Sequence, residues 1–174
     1  MLRSLIARGI DAQERRVGVP LHYARDILRT SIGAFIKYSM VIPMSSHRQR
    51  LSAAEVFTAR LVATQHEDCG TCVQIVVNLA RQAGVPAATI RAVLSGCVDD
   101  LPEGVRDVYR FTTLVTSGDG DDSELRERLR RCHGDAGLVE LALAIASARV
   151  FPTTKRVLGY AVSCSKVEIE VANP

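Results

Sequence analysis

Apolar residues spaced three and four positions apart run through most of this chain, and that spacing allows little but helices. In "LHYARDILRTSIGAFIKYSM" (21–40), Leu21, Ala24, Leu28, Ile32 and Phe35 share one face, with Arg25, Asp26 and Arg29 on the other. The pattern predicts one amphipathic helix from Leu21 to near Pro43, its stripe packed in a core. Asp26 on the polar face argues against a membrane-surface helix. Ser52 with Glu55 has capping-box spacing and predicts a helix over 52–65. The next helix begins close to Cys69 and closes with Gly84 at C′. Pro86 and Thr89 open "AATIRAVLSG", which ends at Gly96. "PEGVRDVYRFTTLVTSG" (102–118) follows. "GDGDDS" reads as a polar turn, with Ser123 capping "ELRERLRRCHG". Asp135 precedes "AGLVELALAIASARVF", which is apolar on most faces and therefore expected inside. Pro152 is expected to end that helix, leaving a short one over "TTKRVLGYAVSC". "KVEIEV" (166–171) alternates like a lone strand with no evident partner.

The expected fold is a single all-α domain of about seven or eight helices. The chain's 174 residues suffice for one substantial core. A net charge of +3 with only short basic runs, "HRQR" (47–50) and "RERLRR" (126–131), speaks against a nucleic-acid partner. No stretch reaches the roughly 18 apolar residues of a membrane span, and Lys37 interrupts "SIGAFIKYSMVIPM". The first residues lack a long apolar segment and a small-residue cleavage site, so a cytoplasmic location is expected. Five cysteines, an odd number, do not suggest a disulfide framework. Cys97, Cys132 and Cys164 stand alone and are expected to be small buried hydrophobes.

The chemistry concentrates in "HEDCGTC" (66–72). A CxxC pair at a helix start lies against unpaired N–H groups and the positive end of the dipole, which favour thiolate over thiol. Either thiolate could attack a peroxide, and the other could resolve the resulting sulfenic acid to a disulfide. The dipole alone favours Cys69 as the more activated sulfur. Glu67 and His66 are placed to shuttle a proton, and Asp68 or Glu67 could instead cap the helix. H-x-x-C-x-x-C also offers three zinc ligands, but a structural site needs a fourth, and Cys132–His133 is poorly spaced to supply it. No metal is expected. There is no glycine-rich phosphate loop, and no cofactor is expected.

"ARLVATQHEDCGTCVQIVVNLARQAGVPAATIRAVLSG" (59–96) resembles the core of the carboxymuconolactone decarboxylase family, in its alkylhydroperoxidase-D-like branch. "GDAGLVELALAIASARVFPTTKRVLG" (134–159) resembles that family's closing helix. The resemblance spans roughly residues 50–160. It implies an alkylhydroperoxidase-D-like helical bundle over 51–174 and a homo-oligomer; it does not account for residues 1–50, whose own helical stripe is expected to pack as an extension on this core or on a neighbouring subunit. It also implies peroxide reduction, with Cys72 peroxidatic and Cys69 resolving. The family's histidine, one turn after the second cysteine, falls on Val76. Its upstream glutamate falls on Phe57, two residues from Glu55, and a histidine sometimes found between the cysteines is Thr71. With those positions changed, Glu67 and His66 are the expected relay.

The function expected from the sequence is a thiol-dependent hydroperoxide reductase, an antioxidant enzyme cycling through a Cys69–Cys72 disulfide. Its partners would be a hydroperoxide and a thiol reductant. The alternative is a non-catalytic helical oligomeric module with a structural or redox-sensing dithiol. Assembly is expected on a second ground: one domain of this size has limited interior for both "GLVELALAIASARVF" and the N-terminal stripe.

Overall fold

A computed structural model describes residues 2–118, 122–164 and 168–171. Every regular element among them is a helix: α1 (Leu2–Val17), α2 (His22–Thr30), α3 (Ile32–Ser39), α4 (Val41–Ser46), α5 (Ala53–His66), α6 (Gly70–Gln82), α7 (Ala87–Ser95), α8 (Glu103–Ser117) and α9 (Ser123–Val157). A 3₁₀ turn at Val98–Asp100 joins α7 to α8. The all-α class expected from periodicity is the class observed.

The centre is α5. Its start is the capping box read from the sequence: Ser52 Oγ accepts from Glu55 N at 3.2 Å, and Glu55 Oε2 accepts from Ser52 N at 2.7 Å. Almost every side of α5 is then covered, because α6, α7, α8 and α9 all pack on it. Leu61, Val73, Val77, Ile90 and Val93 close one half of the core. Leu51, Ala59, Val108, Phe111, Leu141 and Ile145 close the other. Burying a side chain such as Leu61 contributes about 2–3 kcal/mol, and a central helix buried on nearly all sides gathers many such increments. The turn entering α5 is fixed from a distance. The buried Glu140 of α9 accepts from Gln49 N and Arg50 N, each at 2.8 Å, and from Leu51 N at 3.3 Å.

The N-terminal helices form a third cluster. Ile10, Val17, Leu21, Tyr23, Ala24 and Leu28 pack together against Ile75 and Leu79 of α6. Arg25 of α2 pairs with Asp11 and Glu14 of α1, and Leu21 N donates to Glu14 Oε1 at 2.7 Å. Side-chain amides fasten this layer to α6: Asn78 Nδ2 donates to Val17 O at 2.7 Å, and Gln82 Nε2 donates to Arg16 O at 2.6 Å.

Four local expectations are corrected. The helix predicted over 21–43 is three helices. Ser31 turns extended (φ −154°, ψ 117°) and its hydroxyl accepts from Ala34 N, ending α2 and capping α3. The repeat reads through this break because Ile32 and Phe35 of α3 pack on the same cluster as α2. Pro43 lies in the first turn of α4, where its missing N–H has no intrahelical bond to lose. Pro152 does not end α9. Helical geometry continues to Val157 because Pro152 and Lys155 are both buried on the face that meets the core. The kink in α9 falls at Gly134, whose φ of 72° opens the chain where a break was expected. Residues 160–163, expected to be helical, form no regular element.

The three lone cysteines are not buried either: Cys97 and Cys132 are exposed and Cys164 is half-buried. Cys132 is exposed although it follows the buried Leu129 by three residues, and it lies two residues before the kink at Gly134. Lys166 and Val167 of the expected strand lie outside the described residues. Its remainder, 168–171, is irregular and pairs with a side chain. Gln74 Nε2 donates to Glu170 O at 3.1 Å and Gln74 Oε1 accepts from Glu170 N at 2.8 Å, as a neighbouring strand's peptide would.

Candidate functional site: a buried dithiol on a cation-lined cavity

Cys69 is the N-cap of α6, in extended conformation (φ −124°, ψ 90°), and makes no side-chain cap bond. Cys72 follows one turn in. Their Cα atoms are 5.2 Å apart and the sulfurs lie at disulfide-bonding separation. The tight turn from α5 to α6 needs a left-handed residue, and Asp68 supplies it at φ 47°. Asp68 Oδ1 accepts from Cys164 N at 2.8 Å and from Ser163 Oγ at 3.0 Å, and these bonds hold its carboxyl below the usual range. Gly70 N donates to Val162 O at 2.9 Å, so segment 162–164 covers the first turn of α6. Cys69 is fully buried and Cys72 is 4% exposed.

Cys72 lines a cavity of about 590 Å³ between α5, α6 and α9 on one side and α1–α4 on the other. The wall is mostly apolar, as small-molecule sites are. At the dithiol end stands Lys155 of α9, 4% exposed. Its Nζ donates to Thr71 Oγ1 at 2.6 Å, and Thr71 Oγ1 lies 3.7 Å from Cys69 Sγ. The ammonium also faces the Tyr23 ring at 5.3 Å. Burial lowers the Lys155 pKa to about 8, so the group is still mainly charged at neutral pH. Tyr23 and Tyr38 stack edge to face at 6.1 Å, and Tyr38 meets Phe151 at 5.7 Å. Burial pushes both phenols up, keeping them neutral. The Thr64 hydroxyl is buried without a hydrogen-bond partner among the described residues, on the α5 wall of the same cavity.

The structure does not gather the sequence-predicted residues into one group. Cys69 and Cys72 are together. Glu67 is turned to α9, where its Oε1 accepts from Arg149 Nε at 2.7 Å and its Oε2 lies 3.5 Å from Arg156 Nη1. His66 is exposed at the end of α5. Neither lines the cavity that Cys72 lines. Glu55 is committed at the far end of α5, in its capping box and 3.2 Å from His133 Nε2. The backbone of Gly104 packs so close to it that a Cβ there would meet Glu55 Oε1 at 2.8 Å. Among the described residues, no group of three or more His, Cys, Asp or Glu side chains is arranged to hold a metal ion.

Sequence reasoning missed Lys155, Thr71 and Arg60. The signal for Lys155 was available: Leu141, Ala144, Ala148, Pro152 and Lys155 form one 3–4 repeat, so a lysine sits on the stripe that faces the core.

No family model, no curated protein and no solved structure matches this chain. The fold and site define a helical protein with a buried CxxC dithiol opening on an apolar, cation-bearing cavity.

Proposed function

We propose that this protein is a thiol-dependent hydroperoxide reductase of the alkylhydroperoxidase-D-like type in the carboxymuconolactone decarboxylase family. The observation that carries the reading is the Cys69–Cys72 pair on the cavity wall, linked through Thr71 to the buried Lys155 ammonium. The positions matching the family's glutamate and histidine, Phe57 and Val76, both line this cavity and are apolar. Lys155 supplies the charge they lack.

In the proposed cycle the Lys155 ammonium and the α6 N-terminus favour the Cys72 thiolate. The thiolate attacks the outer oxygen of ROOH. The S–O bond forms, the O–O bond breaks, and the alkoxide leaves as ROH with a proton delivered from Lys155. Cys69 then attacks the Cys72 sulfenic acid. The S–S bond forms, the S–O bond breaks, and oxygen leaves as water after taking up the Cys69 proton. An external thiol reductant returns the pair to the dithiol, giving its two electrons and two protons. Cys72 is assigned as peroxidatic because it lines the cavity and Cys69 does not. A compartment that keeps thiols reduced suits such a cycle, and on this ground we place the protein in the cytoplasm.

The test is to mix reduced protein with cumene hydroperoxide and count free thiols. Loss of two thiols per chain, reversed by dithiothreitol, is the expected result. Retention of all thiols over minutes would favour the alternative, a structural dithiol in a non-catalytic module.

We also propose that copies associate through α9, whose outer face carries Val139 and Val157, 57% and 81% exposed. By length and composition α9 could cross a membrane, but its inner face holds Glu140 bonded to three backbone N–H groups. This favours a core helix with one outward contact face.

A further inference from the structure

The cavity wall carries four cationic side chains, Arg16, Arg48, Arg60 and Lys155, and no acidic residue among those described. Arg16 and Arg48 are exposed and stand at its rim. Arg60 is inside. Its guanidinium carbon lies 5.1 Å from the centroid of the Phe57 ring, and no carboxylate pairs with it among the described residues. Burial lowers its pKa to about 10. A guanidinium held in an apolar wall without a counter-ion is costly, and a bound anion removes that cost.

Lys155 and Arg60 mark two levels of one groove. Thr64 and Cys72 lie beside the Lys155 end. Arg60 is one helical turn further along α5, and the lined face continues to Val56, about 12 Å from Thr64 by helix rise. The uncharged wall is mostly apolar, with Phe57 of α5, Ile75, Val76 and Leu79 of α6 and Ile10 and Val17 of α1. A wholly neutral ligand would leave Arg60 unpaired, and a small hydrophilic one would leave the apolar wall uncovered.

We propose that the cavity binds an amphipathic carboxylate, a long apolar chain laid along α5 and α6 with its carboxylate forked onto Arg60. The planar guanidinium matches a carboxylate bidentately. In its extension to chemistry, this inference rests on the reductase reading: the substrate is then the hydroperoxide of a fatty-acid-like molecule, with the peroxide beside Cys72 and Thr64.

The binding test needs no turnover. Decanoate and 1-decanol, alike in their chains and unlike in charge, are titrated calorimetrically into the full-length protein with its dithiol oxidised. Decanoate is expected to bind at least ~10-fold more tightly, the worth of one charge-assisted pair. Arg60→Leu, with folding checked by circular dichroism, is expected to erase that preference, and Arg131→Gln on the exposed face of α9 to leave it. Equal binding of the two ligands by the unaltered protein would overturn the proposal, and so would a preference that survives Arg60→Leu. If decanoate binds through Arg60 but no hydroperoxide oxidises the dithiol, the binding site stands and the reductase reading falls. If cumene hydroperoxide oxidises the dithiol but decanoate shows no preference, the reductase stands and this inference falls.

Discussion

Lys155 Nζ and Thr71 Oγ1 meet at 2.6 Å across 84 residues of sequence, joining the last turns of α9 to the first turn of α6. The contact brings a buried positive charge to the dithiol from another helix. It also explains why Pro152 is accommodated within α9: continuing the helix delivers Lys155 to the site.

Replacing that charge should be felt at sulfur. Lys155→Met is expected to raise the pKa of the reactive thiol by about one unit, the low end for losing a nearby opposite charge, and to slow peroxide oxidation at neutral pH ~10-fold. The pH dependence of iodoacetamide alkylation reads the first and stopped-flow thiol oxidation the second. A thiol pKa equal to that of the unaltered protein would remove Lys155 from the relay.

The same lysine should shape stability against pH. Burial takes its pKa from 10.5 to about 8, so between those values the unfolded chain holds more protons and stability rises with pH. Tyr23 and Tyr38, pushed up by burial, act in the opposite sense above about pH 10. With the dithiol oxidised, urea unfolding at pH 7.5, 8.5 and 9.5 (~ values chosen to bracket this window) should show a rise that Lys155→Met diminishes. Identical pH profiles in the two proteins would contradict the assignment.

The two sulfurs should differ in role. Cys72→Ser is expected to abolish disulfide formation, and Cys69→Ser to leave a sulfenic acid on Cys72 that dimedone captures, read by mass spectrometry. Capture on Cys69 in the Cys72→Ser protein would reverse the order.

Glu67 offers a contrast. Its carboxylate is engaged by Arg149 and Arg156, both partly exposed. Glu67→Gln should therefore cost about 1 kcal/mol of stability and leave the dithiol oxidation rate close to that of the unaltered protein. A fall of ~10²-fold in that rate, the low end for a lost general base, would restore the role its sequence position led us to expect.

Glu140→Gln tests how the centre of the fold is held. The carboxylate is 1% exposed and receives three backbone N–H groups from the turn before α5. Gln keeps one acceptor oxygen and aims N–H groups at donors. Chemical denaturation should show a loss of about 2–4 kcal/mol.

What the sequence revealed was local. Ser52 with Glu55, Gly84 and Gly96 mark helix ends because capping chemistry acts over three or four residues, and the structure has those ends. The CxxC was legible for the same reason. Lys155 and Thr71 were not recognised as partners because only the path of α9 brings them together. The break at Ser31 was hidden because both flanking helices keep one stripe against α6. Arg60 gave no signal, since an arginine in a helical repeat ordinarily faces water.

The amides along α6 have a mechanical consequence. Gln74 holds Glu170, its Nε2 also donates to Asn78 Oδ1 at 2.9 Å, and Asn78 holds Val17. Segments from opposite parts of the chain are thus tied to successive turns of the helix that carries Cys72. Tension applied between Val17 and Glu170 would load α6 in shear along this short ladder of uncharged bonds. The dithiol helix would take up the pull first and pass it to α5 through Val73 and Val77.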